Sequence, residues 1–516
     1  MKSRLVLVAA LAAAAGLCAP ASAEWRPPEL RATKALLADV LAANAKAAGA
    51  ALPRFAQRHE SWTYVNGERR LPVRVAVKGA DFRASVMLGK AEYAGGRSEG
   101  VRWRANANGI THATLSDDQG DAIDRLPQSI FPFASTDCEL AGESNRFGPA
   151  WVLLDRAPRD KPHWFYVDKA TGLIAHEMTR EGARTIVTSF DAFDTAAGSQ
   201  RPRRWHVADG DASHDLDVRV DSVVPEPVGA RDVAIPQAPR FFAAPSPPPD
   251  GVVAVPVHFR GRTIFVDVGV GGNTLEFVLD TGTASITLDR TIAERNGWGP
   301  VLEHATVPKL SVGRLALADA STLAIPLGIG YRLSGILGYD FFLGHVVHVD
   351  YEHERVDVMT PAAAAPAFHD PKIVVIPAYF DEGMPLVGAA FGSAGGNRFA
   401  LDSGSPHLYV LAPFELRHRE TIEALWTPAT FPGGHRTSEE RYLEGSIVVA
   451  AHRVSSFVLG PQRFANLTVG VETGNSLSDA IDIAIDGIIG TDQMRFFDWW
   501  FDYDNGRIAM RRNGLH

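Results

Sequence analysis

The sequence predicts a mainly β protein, with two repeated β-rich lobes in its C-terminal half and an N-terminal α+β region built around an antiparallel sheet. Three observations predict it. Short alternating apolar segments separated by Gly and Asn turns dominate the N-terminal region. One phrase, an apolar run into Asp-hydroxyl-Gly, occurs twice, as F-V-L-D-T-G at Phe277–Gly282 and F-A-L-D-S-G at Phe399–Gly404. Other matched phrases follow both copies in the same order.

At 516 residues the chain is too long for one hydrophobic core and suits two to four domains. Its formal charge of −9 argues against a nucleic-acid partner, which would need clustered Lys and Arg. Residues 1–23 carry Lys2 and Arg4 before a short apolar run that ends in Ala21-Ser22-Ala23. That pattern reads as a cleavable signal peptide and predicts a periplasmic or secreted protein. Leu17 is bulky where a small residue usually precedes a lipid-modified cysteine, which argues against a lipoprotein anchored at Cys18. No later segment has the length and apolarity of a transmembrane helix. Loss of the leader removes two bases and no acid, and leaves Cys138 as the lone cysteine, so no internal disulfide is expected. Cys138 has no neighbouring base to lower its pKa and reads as an inert thiol.

Two proline-bearing stretches divide the chain. Phe242–Gly251 (F-A-A-P-S-P-P-P-D-G) reads as a stiff, extended spacer and Thr360–Pro371 as a second break. They separate an N-terminal domain (24–241) from a first lobe (252–359) and a second lobe (372–516). The N-terminal domain opens with Leu30, Thr33, Leu37, Val40 and Leu41 on a helical stripe closed by Gly49. Strand-like runs follow, among them Arg74–Lys78 and Trp164–Asp168. The phrase W-R-A-N-A-N-G (Trp103–Gly109), followed by F-Y-V-D-K-A-T-G-L-I (Phe165–Ile174), resembles the curved-sheet domains related to outer-membrane lipoprotein carriers. That resemblance implies a concave face able to hold a lipid or another apolar ligand; the alternative is a packed sheet used for docking.

The two lobes repeat each other in order. Val255–Phe259 matches Ile376–Phe380, and Gly271-Gly-Asn273 matches Gly395-Gly-Asn397, each read as a turn between two strands. Asp280-Thr-Gly282 matches Asp402-Ser-Gly404. G-I-L-G-Y-D at Gly335–Asp340 then matches G-I-I-G-T-D at Gly487–Asp492, and Asp350-Tyr351 matches Asp502-Tyr503, with a common offset.

Two carboxylates held at contact distance cannot both ionise; one keeps a proton and the pair shares it. The charged member can then draw a proton from a water while the protonated member polarises a carbonyl, with no metal, cofactor or covalent intermediate. Gly282 and Gly404 lack Cβ, so the loops can turn tightly and bring N–H groups to the carboxylates. The hydroxyls of Thr281 and Ser403 are suited to bonding across a lobe junction, and those of Thr283 and Ser405 to donating to the outer carboxylate oxygens. As turn chemistry alone, each Asp would merely cap a bend.

On these residues, from about Val252 to the C-terminus, the chain resembles aspartic proteases, especially the bacterial retropepsin-like group. The resemblance implies two β-barrel lobes that share one active site, with Asp280 and Asp402 as the catalytic pair and a peptide or protein as substrate. Behind each Asp loop runs an apolar-apolar-Gly strand, here Ile336-Leu-Gly338 and Ile488-Ile-Gly490. Members of that group also close the cleft with a glycine-rich hairpin, the flap. In the second lobe 431–445, with Gly433 and Gly434, has the right place; in the first lobe Trp298–Pro308 is short, so one flap is expected. The expected activity is exported aspartic endopeptidase; the alternative is a non-catalytic periplasmic peptide- or lipid-binding protein that keeps the fold. Around His345–Glu354, strand alternation puts His348, Asp350, Glu352 and Glu354 on one solvated face and Val347, Val349 and Tyr351 on a buried one, so no metal site is expected there. Trp499, Trp500 and Phe501 read as core.

Overall fold

Alternating burial along Gln57–Asn66, with the paired Arg58 and Glu60 and the rings of Trp62 and Tyr64 on the buried face, starts the first sheet. The computed structural model describes residues 26–515 apart from 28, 50–56, 89–90, 107, 115–137, 156–162, 182–183, 197–198, 211, 213–214, 237–238, 247, 301–302, 329–332, 382, 432–433, 443–444, 474–476 and 478–484. The leader with Cys18, and Gly433 of the expected flap, lie outside the described residues. Among those described, the protein is mainly β.

Thirteen antiparallel strands between 57 and 224 form one sheet. Gln57–Asn66 sits in its middle and pairs with both Arg69–Lys78 and Leu216–Val224. The strands up to Thr114 meander outward on one side, and those from Cys138 onward meander back from the other edge. Trp62 meets Trp205 edge-on in the core of this sheet, at a centroid distance of 5.2 Å. One helix, Leu37–Ala48, lies on it and ends at Gly49 with φ +79°. The helix is shorter than the stripe from Leu30 predicts, because Arg31 and Glu143 exchange two backbone hydrogen bonds that hold the preceding chain extended. Its buried residues are Val40, Asn44 and Ala48, at the i, i+4, i+8 spacing of one face.

In the first lobe seven strands curl until Val268 of Thr263–Val270 pairs with Val312 of His304–Val312. The second lobe closes the same way, Ala389 of Met384–Phe391 pairing with Leu459 of Gly445–Leu459. Strand Asn273–Leu279 runs parallel to Gly335–Leu337, and Ala394–Leu401 parallel to Gly487–Ile489, so both Asp loops leave the same kind of crossing. One matched phrase is corrected. Gly271-Gly272 is a turn, whereas Gly395, Gly396 and Asn397 lie inside strand Ala394–Leu401, and the turn falls at Gly392-Ser393. Glycine content suggested the pairing, but the strand register selects the bend.

Below the two lobes a six-stranded sheet takes three strands from each: Val252–Val255, Arg355–Met359 and Val346–Asp350 from the first, Phe497–Asp502, Arg507–Arg512 and Val374–Pro377 from the second. They meet where Val349 faces Trp499 and Val347 faces Phe501. Trp499, Trp500 and Phe501 are buried there, as the sequence predicts. The alternation along His345–Glu354 holds only to Asp350, where the strand ends. Its polar face is half-buried and not solvated, since the His348 ring stacks on Trp500 at 4.4 Å. Phe242, at the start of the proline-rich stretch, is buried against Phe341, and Ala243 pairs with Ala316. The second break carries a short helix, Pro361–Ala364, capped by Thr360.

Candidate active site

Each Asp loop begins where its strand ends, and the neighbouring parallel strand fixes its first peptide. Asp280 N donates to Leu337 O at 3.0 Å, and Asp402 N to Ile489 O at 3.1 Å. The next residues lock the loops to each other. Thr281 Oγ1 donates to Leu401 O (2.7 Å) and accepts from Ser403 N (2.9 Å). Ser403 Oγ donates to Leu279 O (2.9 Å) and accepts from Thr281 N (3.0 Å). Both side chains are buried, so this reciprocal set is shielded from competing water.

The glycines have a sharper reason than local turning. A Cβ on Gly282 would lie 2.6 Å from Asp402 Cγ, and one on Gly404 would lie 2.6 Å from Asp280 Oδ2. Each glycine therefore makes room for the other lobe's carboxylate, and the two acids meet between the loops. Their carboxyls share a hydrogen bond. Burial, then the Asp280 charge, then that hydrogen bond hold the Asp402 carboxyl well above the usual carboxylate range.

The outer support differs between the two acids. Asp280 accepts Gly282 N on Oδ1 (2.8 Å) and the Thr283 hydroxyl on Oδ2 (2.8 Å). Asp402 accepts Gly404 N (2.8 Å) and Ser405 N (3.0 Å), both on Oδ1. The Ser405 hydroxyl, expected to donate to Asp402, is buried and has no partner among the described residues. The backbone N–H of Ser405 already occupies that side of the carboxylate.

Sequence reasoning missed what stands around the pair. Among the described residues the buried hydroxyls of Tyr351 and Tyr503 have no hydrogen-bond partner, and burial pushes both phenols up. Their matched positions after Asp350 and Asp502 were the available signal. The two Asp residues of the later repeat have unlike partners. Asp492 pairs with Arg262 and accepts from the His407 ring. Asp340 is buried and accepts from the Asn106 amide on both oxygens (3.0 Å each) and from Asn108 on Oδ2 (3.1 Å). Asn108 also exchanges hydrogen bonds with the backbone of Ser321 at 2.8 Å, and Ile110 enters the core of the lobes. The phrase W-R-A-N-A-N-G is thus a docking arm of the N-terminal sheet on the first lobe.

In the second lobe a hairpin pairs Thr437–Tyr442 with Gly445–Leu459. Gly434 (φ +84°) makes the turn that leads into this hairpin rather than its tip. Phe431 stacks on His407, which joins the hairpin's approach to the Asp402 loop. The first lobe has no such hairpin among the described residues between helix Arg290–Arg295 and strand His304–Val312.

No family model and no curated protein matches the chain. Among solved structures it shows a distant likeness to a LolA superfamily protein from Nitrosomonas europaea (13% identity, 39% of this chain and 98% of that one, TM-score 0.30). Others are an aspartic proteinase from Irpex lacteus (12%, 51% and 98%, TM-score 0.32) and the basic 7S globulin from soybean (11%, 52% and 96%, TM-score 0.33).

Proposed function

We propose that the chain is an exported aspartic endopeptidase in which Asp280 and Asp402 form one intramolecular dyad. The observation that carries this reading is the mutual fit of the loops, each glycine vacating the space that the other lobe's carboxylate fills. Two acids so placed share a proton, and its seat in the free chain is Asp402, where burial and the adjacent charge favour the neutral form. Asp280 then carries the charge, with donors on both of its oxygens.

A water between them gives a proton to Asp280 as its oxygen attacks the peptide carbonyl carbon, while Asp402 donates its proton toward the carbonyl oxygen. Collapse of the tetrahedral adduct returns a proton to the leaving nitrogen and resets the pair. The 437–459 hairpin serves as the lid that keeps bulk water out. Incubation with an unfolded casein-type substrate at mild acid tests the reading. Cleavage by the wild type that disappears in both Asp280→Asn and Asp402→Asn supports it; equal cleavage by all three overturns it in favour of a binding protein with a retained fold.

A further inference from the structure

The two matched aspartates of the later repeat, Asp340 and Asp492, do the same task in their lobes. Asp340 accepts the backbone N–H of Ile286, and Asp492 accepts from the His407 ring on Oδ2 at 2.7 Å. Each carboxylate thus holds the far end of its own lobe's dyad loop. The backbone beside them does likewise, Tyr339 N donating to Thr283 O at 2.8 Å and Thr491 N to Ser405 O at 2.9 Å. Thr283 is the residue whose hydroxyl holds Asp280 Oδ2. What steadies Asp340 therefore steadies the support of Asp280.

Asp492 is steadied from the opposite lobe. Arg262, second residue of the turn between Val257–Arg260 and Thr263–Val270, crosses to pair with it. The second lobe has the same hairpin, Tyr379–Asp381 against Met384–Phe391, and there the residue matching Arg262 is Gly383. Without a side chain Gly383 cannot reach Asp340. Nor is there room for one: its φ is +82°, and a Cβ would lie 3.1 Å from Tyr339 Cγ and 3.2 Å from Ala284 Cα. The role passes to the N-terminal domain. Asn106 donates to both Asp340 oxygens at 3.0 Å, while its own Oδ1 accepts Asn108 N (2.9 Å) and Ile110 N (3.2 Å). Asn108 adds a bond to Asp340 at 3.1 Å and is itself fixed to the Ser321 backbone through both ends of its amide. Asp340 and Asn108 are buried, which shields these bonds from water.

We propose that Asn106 is a positioning residue for the dyad: the N-terminal domain supplies the clamp that Gly383 cannot, and through Asp340 it holds the Thr283 and Ile286 end of the Asp280 loop. The proposal deepens the endopeptidase reading and rests on it for its kinetic arm, but the hold on the loop can be measured without turnover. In the full chain, Asn106→Ser keeps a short acceptor for the Asn108 and Ile110 N–H groups and is too short to reach Asp340. On an unfolded casein-type substrate it should lower kcat about tenfold and leave KM within about twofold, because it loosens a catalytic group rather than a substrate contact. The double variant Asn106→Asp with Asp340→Asn re-forms the pair with donor and acceptor exchanged, and should return kcat to within about threefold of wild type. Amide hydrogen exchange read by mass spectrometry should be about tenfold faster over residues 280–286 in Asn106→Ser, unchanged over 399–405, and restored in the double variant. If Asn106→Ser does not fold, Asp340→Asn, which conserves shape, takes its place in both measurements. A loss of stability with 280–286 exchange unchanged, or with kcat unchanged in an active chain, makes Asn106 a mere tether and overturns the proposal while the endopeptidase reading stands on wild-type cleavage. A loss that the folded double variant does not recover also overturns it. Faster 280–286 exchange restored by the double variant, with no cleavage by the wild type, keeps the clamp and removes the endopeptidase reading.

Discussion

The loops that carry Asp280 and Asp402 have nearly the same backbone course and quite different surroundings. Inside, they are interchangeable: Thr281 and Ser403 trade equivalent hydrogen bonds, and Gly282 and Gly404 vacate equivalent spaces. Outside, one carboxylate has a hydroxyl donor on its second oxygen and the other has an idle serine. Behind them, one repeat aspartate faces two asparagines from another domain and the other faces an arginine and a histidine. Duplication supplies a symmetric frame, but a proton must sit on one acid at a time. The two carboxylates are not held alike.

The largest expected effect would break the comparison altogether. Asp280→Asn and Asp402→Asn should each lower kcat/KM on an unfolded protein substrate by at least about 1,000-fold, since a dyad acts as a unit and losing either half is nearly as costly as losing both. A double variant no worse than either single one would confirm that unit. Activity should also fall as pH rises through the raised ionisation of Asp402, because the proton it donates is then lost; a pH–rate profile that rises steadily into the alkaline range would contradict the assignment.

Asp340 sharpens the comparison through stability. Its carboxyl is pushed by burial from 3.8 up to about 7, so the folded chain holds that proton more tightly than the unfolded one. The contribution, at most about 4 kcal/mol in all, is full below about pH 4 and is lost as pH rises through about 7. Chemical denaturation of the full chain at pH 4.5 and 7.5 should show that slope, and Asp340→Asn should flatten it.

Next come the cross-lobe hydroxyls. Thr281→Val and Ser403→Ala each leave buried backbone groups unpaired and should cost about 1–3 kcal/mol of stability in denaturant titrations. Their double variant should lose less than the sum of the two, because the bonds are reciprocal. Smallest is the pair of outer hydroxyls. Thr283→Val should lower kcat several-fold, whereas Ser405→Ala, which removes a hydroxyl with no partner, should leave kcat and stability within about 0.5 kcal/mol of wild type. Equal losses in these two variants would erase the asymmetry.

How legible this was in the sequence follows from where each signal is stored. The dyad loops, their glycines and the parallel strands behind them were readable, because the repeat puts each in a local phrase whose residues all face one purpose. The Asn106–Asp340 contact was not, since the two lie 234 positions apart and neutral amides facing an acid leave no charge pattern to notice. Asn106 and Asn108 read as ordinary turn residues, and they are that too. The Gly395-Gly-Asn397 match failed because glycine marks a bend only where strand register allows one. The helix start was misplaced because the partner that holds Arg31 extended, Glu143, is distant in the chain. The reason for Gly282 and Gly404 lies between lobes, which local reading reaches only after the lobes are put together.

The six-stranded sheet has a consequence for the covalent chain itself. Since each half contributes three strands to it, with Val346–Asp350 pairing directly with Phe497–Asp502, a nick between residues 360 and 371 should not release two pieces. The severed halves should co-elute under native conditions and separate only in denaturant. Coexpressed as two polypeptides, they should reassemble into a single working particle.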